Sequence, residues 1–309
     1  MHSEAVRKTM EKIFIIGCGD IGRRTAALWQ ARANPVLALA RTAASAERLR
    51  QLGITPVAGD LDMAESLHAL PMADVVLYYF APPPAQGETD PRMHALMTAL
   101  DFGAVPKKII YISTTGVYGD GRGEWINEDT PLRPQAARSK RRVDAESALR
   151  AFGIRHAVPV ITLRVSGIYG PGRLPIDAIK AQRPVLDEKE SGYTNRIHAD
   201  DLARICVAVA EYGRVDSVYN VSDGQPGTLA GYFNRLADAL GEPRPPVVTR
   251  AEAQTLLSTG MLSYLNESRR IDNRRLREEL GVELLYPTLE AGLAASLMEE
   301  RAAMDKSGR

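Results

Sequence analysis

The sequence has little thiol chemistry to offer. Its 309 residues hold two cysteines, Cys18 and Cys206, which make neither a disulfide framework nor a zinc-type spacing. A reducing, intracellular compartment, the cytoplasm, is the expected home, and no metal site is predicted. Charge of one sign is lacking as well: 39 Lys and Arg stand against 38 Asp and Glu, a net charge of +1. Bulk charge thus gives no support to a nucleic-acid or membrane-surface role. No run approaches the roughly 18 apolar residues that span a bilayer. Residues 1–11 carry no apolar stretch of signal-peptide length, and residues 1–9 are expected to be frayed or to form a short leading helix. Internal repeats and flexible interdomain linkers are missing too.

What is present is an ordinary globular composition, 45% hydrophobic and 25% charged. Apolar runs alternate with helical patterns over the first half. Strands are expected at 13–16, 35–40, 54–58, 74–80, 107–113 and 159–166, with helices at 25–32, 45–52, 64–70, 91–102 and 138–152 between them. That alternation predicts an α/β fold with a doubly wound parallel sheet. Further on, helices are expected at 176–182, 201–212, 229–240, 251–257, 273–280 and 289–306, with one more strand at 217–221.

The first strand runs into Gly17-Cys18-Gly19-Asp20-Ile21-Gly22. This is G-x-G-x-x-G between a strand and a helix, the arrangement of a dinucleotide site. Gly17 permits the tight turn, Gly19 lets backbone approach a pyrophosphate, and Gly22 allows close helix–strand packing. The helix start then offers free N–H groups and partial positive charge to phosphate. A plain strand–turn–helix corner is the alternative. Cys18 reads as a small loop-filling residue rather than a nucleophile. Ala81 and Pro82 begin a stiff loop, continued by Pro83 and Pro84, at the carboxyl edge of the sheet, where ligands sit in such folds.

A set of landmarks in order along the chain resembles the extended short-chain dehydrogenase/reductases of the NAD-dependent epimerase/dehydratase group. They are the glycine loop, Gly59-Asp60-Leu61, Tyr111 to Gly119, Glu128 to Pro131, Leu163-Arg164, Gly167 to Arg173, Ile197 to Ala203, and Tyr219-Asn220-Val221. The resemblance implies a Rossmann-type sheet with a smaller, mostly helical C-terminal substrate lobe. Residues 10–172 would form the dinucleotide-binding domain, with 200–224 returning to it. Residues 173–199 and 225–309 would form the smaller lobe. One departure stands out. The group carries Tyr-x-x-x-Lys at the start of the helix after the fifth strand. Here Ser139-Lys140 matches its end, but Ala136 stands where the tyrosine should be, as in atypical members. A methyl group cannot carry a proton, so general acid–base catalysis at that position is absent, an expected loss on the order of 10² to 10⁴ in rate.

The resemblance also implies site residues. Gly17, Gly19, Asp20, Ile21 and Gly22 would hold the pyrophosphate. Asp60 and Leu61 would lie at the adenine, or Asp60 would cap the following helix. Ala81, Pro82 and Ser113 would flank the cofactor. Lys140 would bind the nicotinamide ribose. Thr114 would be the catalytic hydroxyl, or would bond local backbone; Tyr118 could supply a phenol from another direction, or pack under the substrate loop. Arg41 stands where an acid would bind the ribose of NAD, and a guanidinium suits a 2′-phosphate, so NADP is favoured with NAD as the alternative. A solvated surface arginine is the plain reading. His198 would tie its turn to the next helix. Tyr193, Asn195, Arg173 and Arg196 would flank the cleft, with Arg173 able to meet a phosphate or carboxylate. The partner would be a small-molecule substrate such as a sugar nucleotide, handled by a monomer or homodimer. Two functions follow: an NAD(P)-dependent oxidoreductase or epimerase-like enzyme, or a protein that holds NADP without turnover as a sensor or regulator.

Overall fold

The computed structural model describes residues 10–257 and 259–307; the leading stretch 1–9 lies outside the described residues. Seven strands form the central sheet: β1 (Lys12–Ile16), β2 (Val36–Ala40), β3 (Thr55–Ala58), β4 (Val75–Tyr79), β5 (Lys108–Thr114), β6 (Val160–Val165) and β7 (Val218–Val221). Their spatial order is β7-β6-β5-β4-β1-β2-β3, and every pairing is parallel. The chain leaves β1 in one direction and returns on its other side at β4. Loops diverge there and open a crevice beyond the carboxyl ends of the strands.

Successive side chains of a strand point to opposite faces, and both faces are covered, so β1 reads as an unbroken apolar run. Ile13 and Ile15 enter one core, while Phe14 and Ile16 enter the other. On the first face lie α1 (Asp20–Gln30), through Ile21, Ala26 and Trp29, and α6 (Ala199–Tyr212), through Leu202, Ile205, Cys206 and Val209. On the second lie α3 (Pro91–Asp101) and α4 (Ala137–His156), which bury Met93, Leu96, Leu149 and Phe152. Local chemistry sets the helix starts. Thr42 and Ser45 make a reciprocal capping box for α2 (Ala43–Gln51), and Asp90 accepts the Met93 N–H ahead of Pro91.

The smaller lobe is built on α5 (Ile176–Lys180), α7 (Leu229–Leu240), α8 (Arg250–Leu256), α9 (Thr259–Leu265) and α11 (Leu289–Ser307). Tyr169, Ile179, Val185, Phe233, Leu236 and Leu293 share its core. Three differences from the sequence reading have physical causes. The stretch expected as a helix over 64–70 is only a 3₁₀ turn, Ala64–Leu67. There the Ser66 hydroxyl bonds the Asp60 and Met63 carbonyls, and Pro71 blocks continuation. Helix α9 was not expected from the sequence, where Gly260 in its first turn weakens the helical pattern. Finally α10 (Arg274–Leu280), assigned by sequence to the smaller lobe, buries Leu276 and Leu280 in the core on the first face of the sheet. No helix among the described residues is long and apolar enough to cross a membrane.

Candidate functional site

The glycine loop separates its three glycines by function. Gly17 has φ +90°, and a Cβ there would lie 2.4 Å from the Ala81 backbone nitrogen, so the loop after β1 passes hard against the end of β4. Gly22 sits under Gly17, with a Cβ position 3.0 Å from its carbonyl oxygen. At Gly19 a Cβ would meet nothing within 4 Å. It faces open space at the start of α1, whose first N–H groups receive no side-chain cap. Open backbone beside an uncapped helix start is what a dinucleotide pyrophosphate needs, so these residues fit that group. Asp20 adds a carboxylate beside it, bonded to Arg24 at 2.9 Å and Arg173 at 2.5 Å. Burial pushes its pKa up, but the Arg173 and Arg24 hydrogen bonds outweigh this and hold it below the usual range. Ile21 is buried against the sheet. Burial raises the Cys18 thiol to about 11, which removes it as a nucleophile.

Around the loop, Arg41 is exposed just past β2. Asp60, past β3, does not cap a helix: its Oδ1 accepts the Asp62 N–H at 3.0 Å. Leu61 packs against the second core. Ala81 is buried, its N–H donating to the Ile16 carbonyl, while Pro82 opens onto the neighbouring cleft.

That cleft has a volume of about 940 Å³. Its floor is the carboxyl edge of the sheet, through Pro82 to Ala85, Ser113 to Gly116 and Val165 to Ile168. Its far wall comes from the smaller lobe, including Tyr193, Asn195, Arg196, Tyr232, Tyr264 and Arg269. Thr114 lines it, with its Oγ1 accepting the Gly116 N–H at 3.2 Å, so the local backbone bond is made. Ser113 also lines it, but donates to Glu146 Oε1 at 2.5 Å.

The sequence matches the NAD dependent epimerase/dehydratase family over residues 13–222. The chain belongs to that family. Among its relatives is a 4-hydroxy-2-methyl-3-oxo-4-farnesyl-3,4-dihydroquinoline-1-oxide ketoreductase from Stigmatella aurantiaca, 28% identical over 73% of this chain and 72% of that protein. A functionally unknown conserved protein from Silicibacter pomeroyi DSS superposes with a TM-score of 0.82 at 30% identity, covering 94% of this chain and 99% of the other. The dTDP-glucose 4,6-dehydratase from Bacillus anthracis, solved with NAD, superposes at 0.75 with 21% identity over 96% and 98% of the two chains. At that identity it shares the fold.

Two epimerase/dehydratase-family expectations meet a different geometry. Lys140 is not among the residues that line the cleft; its Nζ pairs with Glu88 at 2.6 Å. Ala136, the N-cap of α4, is likewise outside the cleft lining. At 100° per residue, positions 136 and 140 lie about half a turn from 138. Arg138, Arg141 and Arg142 therefore present the cleft-facing side of α4. The sequence reading gave only Lys140 a role on this helix, because spacing from Ser139-Lys140 fixed the motif and helix phase was not used.

Tyr118 is also placed away from the cleft. Its hydroxyl donates to Asn220 Oδ1 at 2.7 Å and accepts from Arg164 Nη1 at 3.0 Å. Burial raises its pKa to about 12 against the opposing Arg164 charge. Both hydrogen-bonding roles of the hydroxyl are thus taken by buried partners. His198 is buried and caps α6 by accepting the Asp200 N–H, with Ser296 on its other nitrogen. Burial lowers its pKa, keeping the ring neutral near pH 7.

Proposed function

We propose that the protein binds NADP, with NAD as the alternative, and acts as an oxidoreductase or epimerase-like enzyme on a sugar nucleotide or other small polar substrate seated in the cleft. The observation that carries this reading is Gly19: a glycine whose Cβ direction is open, at an uncapped helix start, inside the matched family region. The N-terminal N–H groups of α1 receive the pyrophosphate. Arg41 meets the 2′-phosphate, Asp60 and Leu61 lie toward the adenine, and Ala81, Pro82 and Ser113 flank the nicotinamide half. When bound, the dinucleotide supplies hydride exchange with a substrate carbon. Thr114, which lines the cleft, is the hydroxyl that would touch that substrate. The ketoreductase named among the relatives and the NAD held by the dTDP-glucose dehydratase support this reading.

A second reading, an NADP-holding sensor or regulator, draws on one observation: the residues that would form the proton-transfer pair, Ala136 and Lys140, do not line the cleft. Two measurements separate the readings. Fluorescence titration should show tighter binding of NADPH than NADH, with Arg41→Ala narrowing the gap; equal affinities in the unaltered protein would remove the NADP assignment. Steady-state NADPH oxidation over a panel of ketones and nucleotide sugars should then show turnover. Clear binding with a flat panel would transfer the conclusion to the sensor.

A further inference from the structure

The α4 wall of the cleft carries cations held in place by neutral groups. Arg142 is anchored through Nη1 alone, which donates to the Ile112 carbonyl at 2.9 Å and the Tyr111 hydroxyl at 3.1 Å. Its Nε and Nη2 make no hydrogen bond among the described residues. Arg141 is only 6% exposed, is anchored through Nη1 to the Gly87 carbonyl, and leaves a buried Nε without a partner among the described residues. At the end of β6, Ser166 lines the same cleft, is 7% exposed, and its hydroxyl is likewise unpartnered.

The contrast with two other cleft arginines is chemical. Arg173 is matched by Asp20 at 2.5 Å and Arg269 by Glu267 at 2.7 Å. Among the described residues, neither Arg141 nor Arg142 forms an ion pair with a carboxylate. A guanidinium keeps its charge at any working pH; the hydrogen-bond acceptors of Arg142 are neutral, and the nearby Asp90 carboxylate acts on it through space without a hydrogen bond among the described residues. The Nε–Nη2 edge that Arg142 leaves unused is the fork that grips an oxyanion through two parallel hydrogen bonds. The anchoring bonds to Ile112 and Tyr111 fix that fork at the carboxyl end of β5, beside Ser113 and Thr114.

We propose that this wall is an oxyanion subsite: the substrate carries a carboxylate or phosphate at its reacting end, held by the Arg142 fork, with Arg141 and Ser166 supporting it. This deepens the enzyme reading and rests on it for which end of the substrate reacts. An uncharged sugar ring at the same place would leave the Nε–Nη2 edge without an anionic acceptor. Arg142 binds and orients here; proton transfer is not its role, since a guanidinium does not release a proton near neutral pH.

The test is calorimetric titration of the full-length protein in a Tris-chloride buffer with malonate and, separately, with inorganic phosphate. At least one should bind, and the better of the two assigns the group as carboxylate or phosphoryl. Arg142→Met should weaken it about tenfold or more, the scale of a charge-assisted bidentate contact. Arg142→Lys, which keeps the charge and loses the fork, should fall in between and also serves if the Met variant does not fold. Arg150→Met, exposed on the same helix, should change nothing. Anion binding that ignores Arg142→Met, including phosphate held at the glycine loop instead, overturns the subsite. So does absence of binding by both anions. NADPH titration of the same samples keeps the two conclusions apart, because failure to bind NADPH removes the enzyme reading without touching the anion result.

Discussion

Gly17 and Gly19 stand two residues apart, and the same substitution should act on them in different ways. A side chain on Gly17 collides with the backbone at Ala81 and would have to hold φ +90°. Gly17→Ala should therefore lower stability by at least about 2 kcal/mol, read as a shift of the urea midpoint. A Cβ on Gly19 meets no protein atom within 4 Å. Gly19→Val should unfold near the parent midpoint yet lose NADPH binding in calorimetry. Retained binding would make the loop an ordinary turn. The tight turn at Gly17 was legible in the sequence, because G-x-G-x-x-G fixes backbone geometry over only six residues. The cleft-facing arginines were not legible in the same way. Arg138 and Arg142 are one helical turn apart, as are 136 and 140, and which pair meets the cleft depends on how α4 is rotated against β5 and β6.

Several landmark segments converge as one buried polar element beneath the cleft. Arg164 on β6 grips Glu146 of α4, with Nη2 2.8 Å from Oε2, and donates to Tyr118. Tyr118 donates to Asn220 on β7, whose backbone N–H in turn donates to Glu128 at 2.8 Å. The Arg164 and Glu146 side chains are 8% and 10% exposed. Arg164→Met removes one partner and strands the other charge, so it should cost about 3–5 kcal/mol, measured by chemical denaturation. Tyr118→Phe leaves the Asn220 acceptor and an Arg164 donor short of a partner and should cost about 1–3 kcal/mol. Its pH–rate profile should stay that of the parent. A profile that moved with Tyr118→Phe would return the phenol to the chemistry. The sequence named Tyr118, Glu128, Arg164 and Asn220 as landmarks without saying that they touch. Glu146, which joins them from the middle of a helix, gave no signal of its own.

At the scale of the whole molecule, the smaller cavity beside the cleft carries a pH dependence. Asp223 borders it with Arg196 and Tyr232, and burial raises the Asp223 carboxyl from 3.8 to about 6, against the Gln225 N–H and the Arg196 charge. The folded state then binds a proton more tightly than the unfolded chain. The stability Asp223 contributes is present below about pH 4 and is lost as pH rises toward about 6, a loss of roughly 3 kcal/mol at neutral pH. Asp223→Asn keeps an acceptor for the Gln225 N–H without the charge. It should melt higher than the parent above pH 6 and match it near pH 4. A constant difference at all pH values would contradict the raised pKa. No sequence pattern announced this, because the pKa of an aspartate depends on what is packed around it. The sequence by itself determined the alternation of strand and helix, the strand-to-helix glycine turn and the family, because these rest on period, turn chemistry and short-range order. Tertiary structure alone decided that α10 returns to the sheet, that Lys140 faces Glu88, that Tyr118 is committed to Arg164 and Asn220, and that α4 turns arginines toward the cleft. Each of those depends on the rotation and burial of one element against another distant in the chain, which local spacing does not encode.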